Sequence, residues 1–320
     1  MKKFATSVVL VCIMLALSTA CAFSPSAREN SINTSLNNRD DSGGLVVYAS
    51  FFTMKDFASK IGGDRISLYS IMPMGADPHS WEPTPAQISS LEYADVFIFN
   101  GAGIEHWVDK VLDTIRNKSL LVVETTSGID LLEGSCDNHD SRILHVHDMD
   151  PHVWLNPMNA KLQMQAIRDA LVQADPQNSD YYNRNFEYYA AELERLDSEF
   201  HEALSGLQNR TIVVSHEAFG YLCDAYGLTQ VGIAGLEPNT EPSPARMAQV
   251  IELVNEHDIS VIFFEELASS RIVEAIARET GTRTAVLSSL EGLTDSQVAA
   301  GDDYFSVMRL NLQALKEALH

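Results

Sequence analysis

The sequence predicts an α/β protein of two lobes, each a parallel sheet flanked by helices, joined by a long rigid connecting helix. Three observations carry this. Short apolar runs of strand length alternate with helical patterns along most of the chain, the signature of βαβ units and parallel sheets. One long amphipathic stretch, Pro176 to Leu207, interrupts the alternation, which then restarts. At 320 residues the chain is too long for one ordinary core. It suits two lobes of roughly 130 residues each.

Leu45 to Ala49 reads as a strand, and Phe51 to Ile61 has helical spacing that Gly62 and Gly63 end. Ile66 to Met72 alternates toward a second strand, and Pro73 to Pro85 is dense in breakers, so it is a loop. A helix over Pro85 to Tyr93, a strand over Val96 to Phe99, a helix over Glu105 to Arg116 and a strand over Leu120 to Glu124 follow. Pro157 to Ala174 is helical. In the long stretch Tyr181, Tyr182, Phe186, Tyr189, Leu193, Leu196 and Phe200 recur three and four apart, a stripe that faces a core. The second series has strands at Thr211 to Ser215, Val231 to Ile233, Val261 to Phe264 and Thr284 to Leu287. Its helices are expected over Ala218 to Ala225, Pro244 to Glu256, Ser270 to Thr280 and from about Tyr304. The resulting plan is an N-terminal lobe over 45–175, a connecting helix over 176–207 and a C-terminal lobe over 208–320.

Residues 1–20 have the form of a secretory signal: Lys2 and Lys3, an apolar run from Val8 to Leu17, then small residues. That run is too short to span a membrane. Two processing routes remain open, since Thr19-Ala20-Cys21 suits lipidation of Cys21 and Ala20-Cys21-Ala22 also fits plain cleavage. Lipidation is favoured, because the Ser- and Asn-rich stretch over 21–44 is what a tethered domain needs. Ser18, where lipoproteins usually carry Leu, counts against it.

A formal net charge of −22 argues against nucleic acid and anionic membrane surfaces as partners and concentrates cations nearby. Beyond Cys21, only Cys136 and Cys223 follow the leader, so this is no disulfide scaffold. Whether those two pair stays open.

Glu133 to Pro157 packs His139, His145, His147 and His152 among acidic residues. Its Asp150-Pro151-His152-Val153-Trp154 echoes Asp77-Pro78-His79-Ser80-Trp81. Open α/β sheets bind ligands where strands end at their carboxyl edge. His79, His216, Glu265, Glu266 and Glu291 all follow predicted strands, which places them on that edge. Imidazoles with a carboxylate suit a borderline cation such as Zn2+, which takes about four ligands. Asp77 and Asp150 either orient the neighbouring imidazoles or cap turns. Trp81 and Trp154 are expected to pack under the site. The run from Asp137 to Asp148 is either an accessory metal-capturing loop or a solvated acidic loop.

Gly75 to Pro83 (GADPHSWEP), Asn100 to Trp107 (NGAGIEHW), Asp150 to Pro157 (DPHVWLNP) and Ser215 to Leu222 (SHEAFGYL) together resemble the solute-binding proteins of zinc and manganese ABC importers. Phe263 to Ala277 and Leu287 to Thr294 extend the resemblance to essentially the whole chain from about Leu45. It implies a metal held in the cleft between lobes for delivery to a membrane ABC permease, by a monomer with no catalytic turnover. His79 and His152 would be ligands from the first lobe and His216 from the second. Three histidines favour Zn2+ over Mn2+, because manganese members tend to carry Glu at the position of His216. Ser288 stands where an Asp often occurs, so the resemblance makes Glu291 the expected fourth ligand, with Glu265 the fallback and a water or an open fourth position the remaining alternatives. His139, His145 and His147 correspond to the family's accessory His-rich loop.

Imidazoles must be neutral to bind metal, so affinity is expected to fall below about pH 6. The rival readings are a manganese-binding member, a zinc hydrolase with Glu217, Glu265 or Glu266 as base, and an adhesin with structural metal. No H-E-x-x-H helix supports the hydrolase.

Overall fold

The structure, a computed structural model, describes residues 44–134 and 149–320. The leader, Cys21, the tether up to residue 43, Cys136, and the run with His139, His145 and His147 lie outside the described residues.

The first sheet is built from β1 (Leu45–Ala49), β2 (Ile66–Ser70), β3 (Val96–Phe99) and β4 (Leu121–Glu124), all parallel, in the order β2-β1-β3-β4. The second repeats that order with β5 (Thr211–Val214), β6 (Thr229–Gly232), β7 (Val261–Phe264) and β8 (Arg283–Val286), as β6-β5-β7-β8. Parallel strands need crossovers. α1 (Phe52–Gly62), α2 (Pro85–Ser90) and α3 (Val108–Leu112) supply them in the first lobe. α4 (Pro157–Ala174) and α5 (Ser179–Leu204) lead to the second, where α6 (Gly220–Tyr226), α7 (Pro244–Glu256) and α8 (Arg271–Thr280) connect the strands. α9 (Asp295–Ala300) and α10 (Tyr304–Leu319) close the chain.

Most expected elements appear within a residue or two of their predicted bounds. The helix expected over Glu105 to Arg116 is shorter, covering Val108–Leu112. Gly101, Ala102 and Gly103 take positive φ, and the Glu105 carboxylate accepts from the N–H groups of Asn100 and Gly101, so the chain is still turning at Glu105. At the other end Glu92 accepts from the N–H groups of Arg116 and Asn117, drawing the chain away from the axis. The connecting helix begins at Ser179, after a 3-10 turn over Pro176–Asn178. α9 was not anticipated, although Thr294 and Gln297 form a capping box at its start.

The two predicted cores are largely one. Gly44–His320 is a single compact unit. One hydrophobic cluster runs from Val47, Phe57 and Trp154 through Leu193 and Phe200 to Val214, Leu287 and Leu315. Each sheet adds a smaller cluster on its outer face, around Phe97 and Trp107 in the first and Val213 and Ile262 in the second. A sheet covered by helices on both faces must have two apolar faces, and here the inner faces share the packing around α4, α5 and α10. The carboxyl edges carry the polar loops.

Candidate metal centre

His79 lies in the loop after β2, where Asp77 organises a turn. One Asp77 oxygen accepts from the His79 N–H at 2.9 Å and the other from the Ser80 hydroxyl at 2.8 Å. Asp77 is therefore a turn former.

Asp150 does both jobs. Its Oδ1 accepts from the His152 N–H at 2.9 Å and is 2.7 Å from His152 Nδ1. The backbone around it is held from two sides. The Asn100 amide donates to Pro151 O at 3.0 Å, and the Tyr221 hydroxyl donates to Asp150 O at 2.8 Å. The Asn-Gly-Ala-Gly-Ile-Glu motif thus buttresses His152: Glu105, buried and receiving three donors, fixes the loop that presents Asn100.

His216 follows β5, and its Nδ1 is 2.5 Å from Glu265 Oε1, which also accepts from the Ser215 hydroxyl. Glu265, the fallback ligand, stands behind His216. A proton shared between each Nδ1 and its carboxylate leaves Nε2 of His152 and His216 as the nitrogen available to a metal.

Those Nε2 atoms turn to one point. His152 Nε2 is 3.2 Å from His79 Nε2 and 3.5 Å from His216 Nε2. Glu291 Oε1 lies 3.4 Å from His79 Nε2, 3.2 Å from His152 Nε2 and 3.7 Å from His216 Nε2. Four-coordinate zinc with bonds of about 2.0–2.1 Å sets its ligand atoms about 3.3–3.4 Å apart. Five edges of the tetrahedron are near that value, and each atom of the four lies within 4.8 Å of the others.

The electrostatics suit a cation. Burial pulls the His152 pKa down, but the bonds to Asp150 and Glu291 outweigh it and push it up to about 10. Burial also opposes charge on His216, yet Glu265 beside it, with help from Glu291, raises its pKa. Burial would raise Glu291, but bonds to His152 and His79 hold it well below the usual carboxylate range. The carboxylates of Asp150, Glu265 and Glu291 around two buried imidazoles favour a bound cation.

Trp154 is fully buried, with its ring 5.4 Å from that of His152. Trp81 packs on Trp107. Glu266 accepts from the Gln297 amide. A narrow pocket lined by Gly75, Asp77, Asn239, Leu267 and Glu291 opens beside the four residues. The more open groove between α7 and α8 contains none of them. Sequence reasoning missed Asn100, Tyr221 and Glu105 as supports, although the motif holding Asn100 and Glu105 was visible.

The family model for ZnuA, described as "Zinc-uptake complex component A periplasmic", matches residues 47–318. The chain belongs to the ZnuA family. The high-affinity zinc uptake system protein ZnuA of Bacillus subtilis is 38% identical over 293 residues, covering 90% of this chain and 92% of that protein. The zinc-binding lipoprotein AdcA of Streptococcus pneumoniae is 36% identical, over 88% of this chain and 57% of its own length. Among solved structures, the metal-dependent lipoprotein YcdH of Bacillus subtilis superposes with a TM-score of 0.75 at 37% identity, covering 86% of this chain and 99% of that one. The Zn(II)-bound ZnuA-like domain of Streptococcus pneumoniae AdcA gives 0.74 at 35%, over 87% and 99%. The two sheets and the long α5 are thus the ZnuA-family architecture.

Proposed function

We propose that this protein is an extracytoplasmic solute-binding protein that captures Zn2+ between its lobes and delivers it to an ABC-type permease. The observation that carries the reading is the near-tetrahedral set His79, His152, His216 and Glu291. In this reading Zn2+ is cargo. His79 and His152 bind it from the first lobe, His216 and Glu291 from the second, with Asp150 and Glu265 orienting two of the rings. The names of the relatives, a zinc uptake system protein and a zinc-binding lipoprotein, support the choice of metal and a location outside the cytoplasm. Attachment through a lipidated Cys21 and action as a monomer belong to the same proposal. Three nitrogens and one oxygen suit zinc better than manganese, which prefers oxygen-rich sites. A fourth protein ligand also fills the position that a catalytic zinc keeps for water, which disfavours hydrolysis.

The reading predicts that cells lacking the gene and starved of zinc by a chelator regain radiozinc uptake with the wild-type chain. His216→Ala should not restore it. Uptake restored fully by His216→Ala would contradict the proposal.

A further inference from the structure

Glu291, like His152, stands in a loop whose backbone carbonyls are held by side chains from elsewhere in the chain. The carbonyls of the three residues before it are each capped by a buried side chain. Asn311 Nδ2 donates to Ser288 O at 2.8 Å, Trp154 Nε1 to Ser289 O at 2.7 Å, and the Thr53 hydroxyl to Leu290 O. Thr53 and Trp154 belong to the first lobe and both are fully buried. Leu290 sits at φ +60°, a left-handed conformation that a non-glycine residue keeps only when its surroundings determine it. Its side chain is buried, and its N–H reaches the Ser288 hydroxyl at 3.3 Å.

Trp154 is also two residues from His152, and its own carbonyl accepts from the Tyr304 hydroxyl at 2.7 Å. One indole therefore ties the segment that presents His152 to the loop that presents Glu291, whose carboxylate lies 3.2 Å from His152 Nε2.

We propose that Thr53 and Trp154 are positioning residues for metal binding: they hold the Glu291 loop of the second lobe onto the first, so that Glu291 keeps its place beside His79 and His152. The two side chains touch no ligand atom. They act through the carbonyls on either side of Leu290, those of Ser289 and of Leu290 itself, and so through the strained turn that aims Glu291. The inference rests on the ligand set proposed above.

Thr53→Val keeps the shape of the side chain and removes the donor, leaving Leu290 O without its bond. Zinc affinity, read by competition with a chelating dye, should fall roughly tenfold, in the range of losses from outer partners of metal ligands. Thr53→Ser should restore it. Trp154→Phe, which keeps most of the packing, should behave like Thr53→Val. With cobalt(II) as probe, the variants should lose intensity in the visible bands characteristic of four-coordination, while Thr53→Ser retains it. The deciding arm is the background of Glu291→Gln. If Thr53 acts through Glu291, Thr53→Val costs little further affinity there. An equal, additive loss in that background, or an unchanged affinity and cobalt spectrum in Thr53→Val alone, would overturn the positioning role. Glu291→Gln with wild-type affinity would overturn the ligand assignment itself and the inference with it.

Discussion

At the scale of residues, the chemistry is set by which nitrogen of each histidine is already engaged. Asp150 and Glu265 take Nδ1 of His152 and His216, so the opposite nitrogen is the one left to face a cation. The same carboxylates raise both imidazole pKa values, and this changes the expected pH response. With His152 held near 10, the metal-free site keeps a proton well above pH 6.5, and zinc must displace it. Affinity should therefore weaken progressively on acidification from above neutral, not only below about pH 6. Calorimetry at pH 7.5 in buffers of different ionisation heat should show about one proton or more released per zinc. Heats independent of the buffer would contradict the assignment. In the metal-free fold the same shift contributes stability that is complete below about pH 6.5. It is lost as pH rises through 10. The histidine positions were legible in the sequence because His79 and His216 each follow a strand, and His79 and His152 share an Asp-Pro-His motif. The roles of Asp77 and Asp150 were not separable there, since the motif is the same and only the loop direction decides which one meets the imidazole.

At the scale of elements, the strands were legible because each is an apolar run with breakers beside it. β1, β3 and β7 lie where the sequence placed them. Helices cut short by loop hydrogen bonds were harder: the end of α3 is set by Glu92, 24 residues away from the amide it captures. Gly220, at the start of α6, shows how an element and the site constrain each other. A Cβ there would collide with the Asp150 carboxylate. Gly220→Ala should displace Asp150, release His152 Nδ1 and lower zinc affinity by roughly 10–100-fold, as for the loss of an outer partner. Zinc competition titration measures this, and an unchanged affinity would show that Asp150 has room to move without consequence.

At the scale of the whole molecule, the lobes are joined by more than α5. Lys60 on α1 is bonded to Asp56 at 2.8 Å and to Asp303, the N-cap of α10, at 2.9 Å, and all three link the first lobe to the last helix. Its side chain is 8% exposed, so Lys60→Met would strand Asp56 in a dry environment. Breaking a buried pair from one side costs about 3–5 kcal/mol. The low end is expected, because Asp56 can take up a proton instead, and urea unfolding at pH 7 measures the loss. These long-range braces were invisible in the sequence. Thr53 and Leu290 are 237 residues apart, and no local pattern announces that their loops meet. The central claim is that one zinc is held by both lobes at once through three imidazoles and a carboxylate. X-ray absorption on the purified protein carrying one equivalent of zinc tests it most directly. The account predicts four nitrogen or oxygen neighbours at about 2.0–2.1 Å, three of them showing imidazole scattering. A five- or six-coordinate zinc, or one with fewer than three imidazoles, would contradict it.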